Sequence, residues 1–154
     1  MFELKLAGAA AGTMACAALC ASMAVSPAMA QTYGEARLAP GFSPNPLLVD
    51  LVAGGPAEAE RFGTSCVGHV AEAPDFALDW AGGSDLSIVV VSDADTTLVV
   101  IGPDGQVWCD DDSGGDVNPG VRLNGAPAGR YQIWVGSYAA ENAAARLWIG
   151  EGAL

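Results

Sequence analysis

Residues 109–118 read Cys109-Asp110-Asp111-Asp112-Ser113-Gly114-Gly115-Asp116-Val117-Asn118, and two chemistries can be written on them. The first is cation binding. Calcium takes about six to eight oxygens at about 2.3–2.6 Å from carboxylates, carbonyls and amides. Asp110, Asp112 and Asp116 offer carboxylates, Asn118 an amide oxygen, and Gly114 and Gly115 let backbone carbonyls turn inward. Asp95, with Asp93 beside it, precedes a neighbouring β-patterned run and reaches the same rim. The predicted ligand set is therefore Asp95, Asp110, Asp112, Asp116 and Asn118, with Asp111 facing solvent and Ca2+ as the ion. An EF-hand is excluded, because Gly114 sits where a ligand is needed and Val121 takes the place of the closing Glu. The alternative is an Asx-turn loop whose carboxylates cap backbone amides. The second chemistry is nucleophilic attack by Ser113, which would need His69, the single histidine, as its base.

Strands must position either site. Leu86, Ile88 and Val90 alternate with Ser87, Val89 and Val91. Tyr131, Ile133 and Val135 alternate with Gln132, Trp134 and Gly136, and Ala145, Leu147 and Ile149 with Arg146 and Trp148. Thr97 to Ile101 is apolar on both faces, as a central strand is. Gly102-Pro103-Asp104-Gly105 predicts a hairpin turn into Gln106–Cys109. Cys66–Ala71, Phe76–Ala81 and Val121–Leu123 complete the set. Seven to nine short strands without an amphipathic helix predict an all-β, antiparallel sandwich of jelly-roll type. Upstream, residues 31–62 read as an irregular lead-in, with Pro40, Pro44 and Pro46, one candidate strand at Leu47–Val52 and a helical turn or loop at 57–62. The sandwich proper is placed at 63–154.

Residues 1–30 read as a signal peptide: Lys5, an Ala-rich apolar run to Val25, Pro27, and the small-x-small site Ala28-Met29-Ala30. The run is long enough to span a membrane, but the cleavage site and the missing basic stop favour removal. Leu19 before Cys20 is too bulky for lipoprotein processing. Cleavage leaves no second apolar span and predicts a periplasmic or secreted chain. It also leaves two cysteines, Cys66 and Cys109, which in an oxidising compartment form one disulfide. Closing that loop stabilises by about 4 kcal/mol in chain-entropy terms.

The net charge is −12, with 18 acids against 6 bases. Such a surface repels nucleic acid and anionic membranes and suits cations or basic partners. Trp134 and Trp148 fall on strand faces opposite Ile133 and Ile149. Exposed together they would stack on a glycan or a protein partner. Otherwise the opposing sheet or residues 31–62 cover them.

The run Asp95-Thr96-Thr97-Leu98, the turn Pro103-Asp104-Gly105, the Asp-rich loop, and Gly129-Arg130-Tyr131-Gln132-Ile133-Trp134-Val135 resemble the bacterial pre-peptidase C-terminal domain. That family shows a D-x-x-L strand, a P-x-G turn, a polar loop and a G-x-Y-x-[IV]-x-V strand. The likeness covers about residues 71–151. It implies a β-sandwich of the kind appended to secreted proteases, sometimes stiffened by calcium. The Cys66/Cys109 pair and the lack of an attached protease depart from it.

Asp112-Ser113-Gly114-Gly115 also resembles the G-D-S-G-G-P string of chymotrypsin-like serine peptidases. Here Asp111 replaces the first Gly and Asp116 the Pro, and a negative charge beside an oxyanion hole opposes the oxyanion. Cys66 precedes His69 where that family's cysteine follows the histidine. The 44 positions from His69 to Ser113 are far fewer than a two-barrel fold requires. The residues thus predict a non-catalytic exported module that binds an unidentified protein or glycan. A serine peptidase relative and a purely structural envelope protein are the alternatives.

Overall fold

The computed structural model describes residues 32–153. The predicted signal peptide lies outside them. Among the described residues eleven strands run β1 Glu35–Leu38, β2 Leu47–Ala53, β3 Ala57–Glu58, β4 His69–Val70, β5 Phe76–Trp80, β6 Leu86–Val91, β7 Thr96–Ile101, β8 Val107–Asp110, β9 Gly120–Leu123, β10 Gly129–Ser137 and β11 Ala143–Glu151. A 3-10 turn, Ala59–Phe62, follows β3.

They form two packed sheets. In the four-stranded sheet the order is β2-β11-β6-β9, all antiparallel. In the seven-stranded sheet β10 is the axis. One flank carries β7 and then β8. The other is shared between β5, which pairs with Gly129–Ile133, and β4, which meets Ser137. Alternation sends Phe76, Leu78, Leu98, Val100, Tyr131, Ile133 and Val135 inward from this sheet. Leu51, Leu86, Ile88, Val90, Val121, Leu147 and Ile149 meet them from the other.

The shared flank of β10 leaves a gap between Ile133 and Ser137, where a buried backbone amide and carbonyl would go unpaired. Asp75 fills half of it, its carboxylate accepting from Val135 N–H at 2.8 Å. Gly54 N–H donates to the Val135 carbonyl at 3.0 Å. Burial pushes the Asp75 carboxyl up to about 6, against the lowering effect of the Val135 amide.

The lead-in is not irregular throughout. Glu35–Leu38 is a strand, and it pairs parallel to β5, so the sandwich is not wholly antiparallel. β2 pairs with β11 over seven positions, Leu47 to Ala53. Residues 39–46 are tied to the last strand, with Gly41 N–H on the Glu151 carboxylate at 2.7 Å and Glu151 N–H on the Asn45 amide oxygen at 3.1 Å. Residues placed upstream of the sandwich are thus built into both sheets. The predicted strand at Cys66–Ala71 shrinks to His69–Val70, because Gly63–Val67 turn back over the sheet toward Cys109.

The outer face of the larger sheet has its own cover. Val99 and Trp134 are buried there with Ala59, Cys66 and Val70, and Phe62, Ile101, Val107 and Cys109 pack against them. Phe62 lies on Trp134 with ring centroids 4.7 Å apart. The Cys66–Cys109 disulfide, its Cα atoms 5.1 Å apart, fastens the covering segment to β8. The segment passes so close over β10 that a Cβ on Gly136 would lie 2.7 Å from the His69 carbonyl oxygen, which is why the alternating strand carries a glycine there.

Candidate binding surface

The Asp-rich loop leaves β8 at Asp110 and enters β9 at Gly120. Its shape is set by one carboxylate. Asp110 accepts from Ser113 N–H at 2.8 Å, from the Ser113 hydroxyl at 2.6 Å and from Gly120 N–H at 2.7 Å. Gly114 N–H donates to the Asn118 carbonyl at 2.8 Å, and a Cβ on Gly114 would lie 2.6 Å from the Pro119 carbonyl oxygen. The Asn118 amide oxygen accepts from Ser92 N–H at 2.8 Å. Two of the five predicted ligands thus spend their oxygens on the backbone, as an Asx-turn loop does.

The other three, Asp95, Asp112 and Asp116, are exposed, and Asp116 has φ 55°. Among the described residues no group of three or more His, Cys, Asp or Glu side chains stands close enough to hold a metal ion. The five predicted ligands are thus not gathered into one carboxylate cluster among the described residues. Asp111 is half-buried and Asp112 exposed, the reverse of the expectation that Asp111 faces solvent.

Ser113 and His69 are not brought together. His69 pairs with Ser137 on one flank of β10, while the Ser113 loop springs from β8, beyond β7 on the other flank. Three strand spacings separate β4 from β8, roughly 14 Å. The Ser113 hydroxyl donates to Asp110, which leaves no imidazole to take its proton.

The two tryptophans part company as well. Trp134 is 4% exposed beneath Phe62, covered by the 31–62 segment as one of the two expectations had it. Trp148 is half-buried on the outer face of the other sheet. There it stands in a cross-strand row, Leu48, Trp148, Val89 and Gly120. The next row holds the Asp50–Arg146 ion pair and Val91, and the one after it Val52 and Ala144. Leu48, Val52 and Val91 are 47%, 46% and 42% exposed. Sequence alternation already marks Leu48 and Val52 as the outward positions of β2. What it lacked was the sheet to which β2 belongs.

Two depressions flank Trp148. One, about 360 Å3, is floored by Ser87, Val89 and Arg122 and walled by Ser113-Gly114 of the Asp-rich loop. The other, about 290 Å3, runs past Val91 to Asp50 and Asp93. Their polar groups are largely committed. Ser87 donates to the Gly152 carbonyl, and Arg122 pairs with Asp85 at 3.1 Å. The Gly125 amide, and then Arg122, hold the Asp85 carboxyl below its usual range. Arg146 does the same for Asp50 by hydrogen bonding.

No protein-family model and no curated protein matches the chain. Among solved structures it is similar to the pre-peptidase C-terminal domain of collagenase from Bacillus anthracis, at 13% identity and a TM-score of 0.49, over 75% of this chain and 93% of that one. That is the family whose strand and turn motifs the sequence resembles. It is also similar to Aeromonas hydrophila PliG, a periplasmic inhibitor of g-type lysozyme, at 13% identity and a TM-score of 0.40, over 77% of this chain and 98% of that one. Likenesses at these identities and TM-scores say nothing of the site. Among the described residues no helix is long and apolar enough to cross a membrane.

Proposed function

We propose that the chain is an exported, non-catalytic β-sandwich that works by binding, through the outer face of its four-stranded sheet. The observation that carries this reading is the uncovered apolar row around Trp148. A sheet face is expected to be either polar or covered, and contiguous exposed apolar surface marks an interaction site. The disulfide and the predicted cleavage after Ala30 support a periplasmic or secreted location. Against catalysis stand the separation of His69 from Ser113 and the internal use of the Ser113 hydroxyl.

Two measurements test the reading. A fluorophosphonate probe should leave Ser113 unlabelled; labelling that disappears in His69→Ala would restore a peptidase. A photo-cross-linking residue placed at Val91 should trap a discrete envelope species, while one at Asp104, at the other end of the sandwich, should not. Equal trapping from both positions would remove the face from consideration.

A further inference from the structure

We infer that the partner of this face is a cationic polypeptide segment carrying apolar side chains; the inference rests on the binding face proposed above. Its chemistry follows from what the face offers and what it withholds. It offers apolar contact at Leu48, Val52, Val91 and the half-buried Trp148. It withholds free positive charge. Each of Arg37, Arg61, Arg122, Arg130 and Arg146 already has a carboxylate within 3.5 Å.

Much of the surplus of acid is displayed beside the face. Among the described residues Glu58, Glu60, Asp104 and Glu151 lack an ion pair elsewhere on the surface. Asp93, Asp95, Asp111, Asp112, Asp116 and Glu141 lack one too. They lie in the 92–95, 111–119 and 138–142 loops, all at one end of the sandwich. Those loops are bonded into one rim: Tyr138 N–H to the Asp95 carbonyl, Thr96 N–H to the Val117 carbonyl, Ser92 N–H to Asn118. Asp93 walls one depression beside Trp148, and the Asp-rich loop walls the other. Val117 and Tyr138, exposed at 42% and 53%, sit within the same rim. The exposed large apolar side chains of the described residues thus all lie on this face or at its acidic end.

Complementary charge selects the partner. Like charge disfavours an anionic segment, and disfavours a second copy of a chain with net charge −12. A neutral glycan would meet the half-buried Trp148, but Ser87, Ser113 and Arg122 already spend hydrogen bonds within the chain. Apolar side chains seated along Val91 and Trp148, with lysine or arginine reaching the rim, use what the surface leaves free.

The test uses the mature chain and synthetic helical peptides of about fifteen residues. One is built of Lys and Leu, one of Lys and Ser with the same charge, and one of Glu and Leu; a chito-oligosaccharide and a dilution series by sedimentation complete the set. The Lys/Leu peptide should bind about tenfold or more tightly than either other peptide, and weaken about tenfold between low and high salt. Leu48→Ser with Val91→Ser should cost that binding about tenfold, as should Asp111→Asn with Asp112→Asn and Asp116→Asn. Asp104→Asn should not change it. All these positions are at least partly exposed, and unchanged thermal midpoints confirm that the variants fold. Binding of the Glu/Leu peptide as tightly as the Lys/Leu one overturns the cationic partner. So does equal binding of the Lys/Ser peptide that ignores Leu48 and Val91. A chito-oligosaccharide or a self-dimer that depends on Leu48 and Val91, with no Lys/Leu binding, overturns the partner but keeps the face. Failure of every probe overturns both.

Discussion

The two outer faces of this sandwich meet the same problem and resolve it differently. Both carry large apolar side chains where alternation would ordinarily put polar ones: Val99, Ile101 and Trp134 on the seven-stranded sheet, Leu48, Val52, Val91 and Trp148 on the four-stranded one. On the first, residues 59–70 form a lid that brings Phe62 onto Trp134 and is stapled to β8 by Cys66–Cys109. On the second, no described segment does so. Strand pattern does not distinguish the faces; the connection between strands does. A face covered by the chain belongs to stability, and a face left open is available to a partner. Perturbing each should therefore give effects of different size and kind.

Cutting the staple should have the largest effect. Cys66→Ser with Cys109→Ser removes a link between positions 43 residues apart and should lower the unfolding free energy by about 2–4 kcal/mol. The loss should be local in its signature. Trp134 should become accessible to a fluorescence quencher in the native state before global unfolding, while the Trp148 signal stays as it was. A variant that keeps wild-type stability and shields Trp134 would show that the lid holds without its covalent tie, and the contrast between the faces would lose its cause.

The second test sharpens what belongs to the covered sheet. Asp75 is 1% exposed and fills the gap in β10. Its folded-state carboxyl is raised to about 6 from the ordinary 3.8, because burial penalises the charged form. A carboxyl raised on folding binds its proton more tightly in the native state. Its contribution is fully present below about pH 4 and is lost as pH rises through about 6. Asp75→Asn keeps an acceptor for Val135 N–H and removes the charge. Relative to wild type it should gain about 2–3 kcal/mol between pH 4 and pH 7. Denaturant melts of both proteins at the two pH values give that double difference, and a difference of zero would mean the site is wetter than the packing shows.

These elements were unequally visible in the sequence. β6, β7, β10 and β11 could be read because each alternates over at least five residues or is apolar throughout. β1 could not. Glu35-Ala36-Arg37-Leu38 is short, lies among turn residues and acquires its strand identity only by pairing with β5, a partner some forty positions away. The Trp pair shows the same limit. Alternation placed Trp134 and Trp148 opposite their isoleucines, but the sheet to which each strand belongs is a matter of topology. At the loop, residue type announced oxygen ligands, yet nothing in the types says which way an oxygen points. Asp110 turns back on its own loop because Ser113 and Gly120 supply three donors within 2.8 Å, a geometry fixed by where β9 begins.

The loop gives the third test. Asp110→Ala removes the acceptor of three hydrogen bonds at the wall of the open face, and should cost about 1–2 kcal/mol. EDTA should leave the wild-type thermal midpoint within about 1 °C, since capping needs no ion. A fall of several degrees, reversed by added calcium, would return Asp95, Asp110, Asp112, Asp116 and Asn118 to the role of ligands.

The smallest effect is expected where the apolar surface is largest. Leu48→Ser and Val52→Ser remove aliphatic side chains that are already 47% and 46% exposed on an edge strand. Backbone pairing of β2 with β11 does not depend on them, and the inward side of the strand keeps Leu51 and Ala53 in the core. Each substitution should change the unfolding free energy by no more than about 0.5 kcal/mol. That near-silence is itself the informative result. An aliphatic side chain that contributes little to the fold, set beside a half-buried tryptophan and an acidic rim, is free to contribute to an encounter. If Leu48→Ser instead destabilised the chain by about 2 kcal/mol, the open face would be supporting the sandwich as the lid supports its own sheet. The contrast from which the binding face was inferred would then disappear.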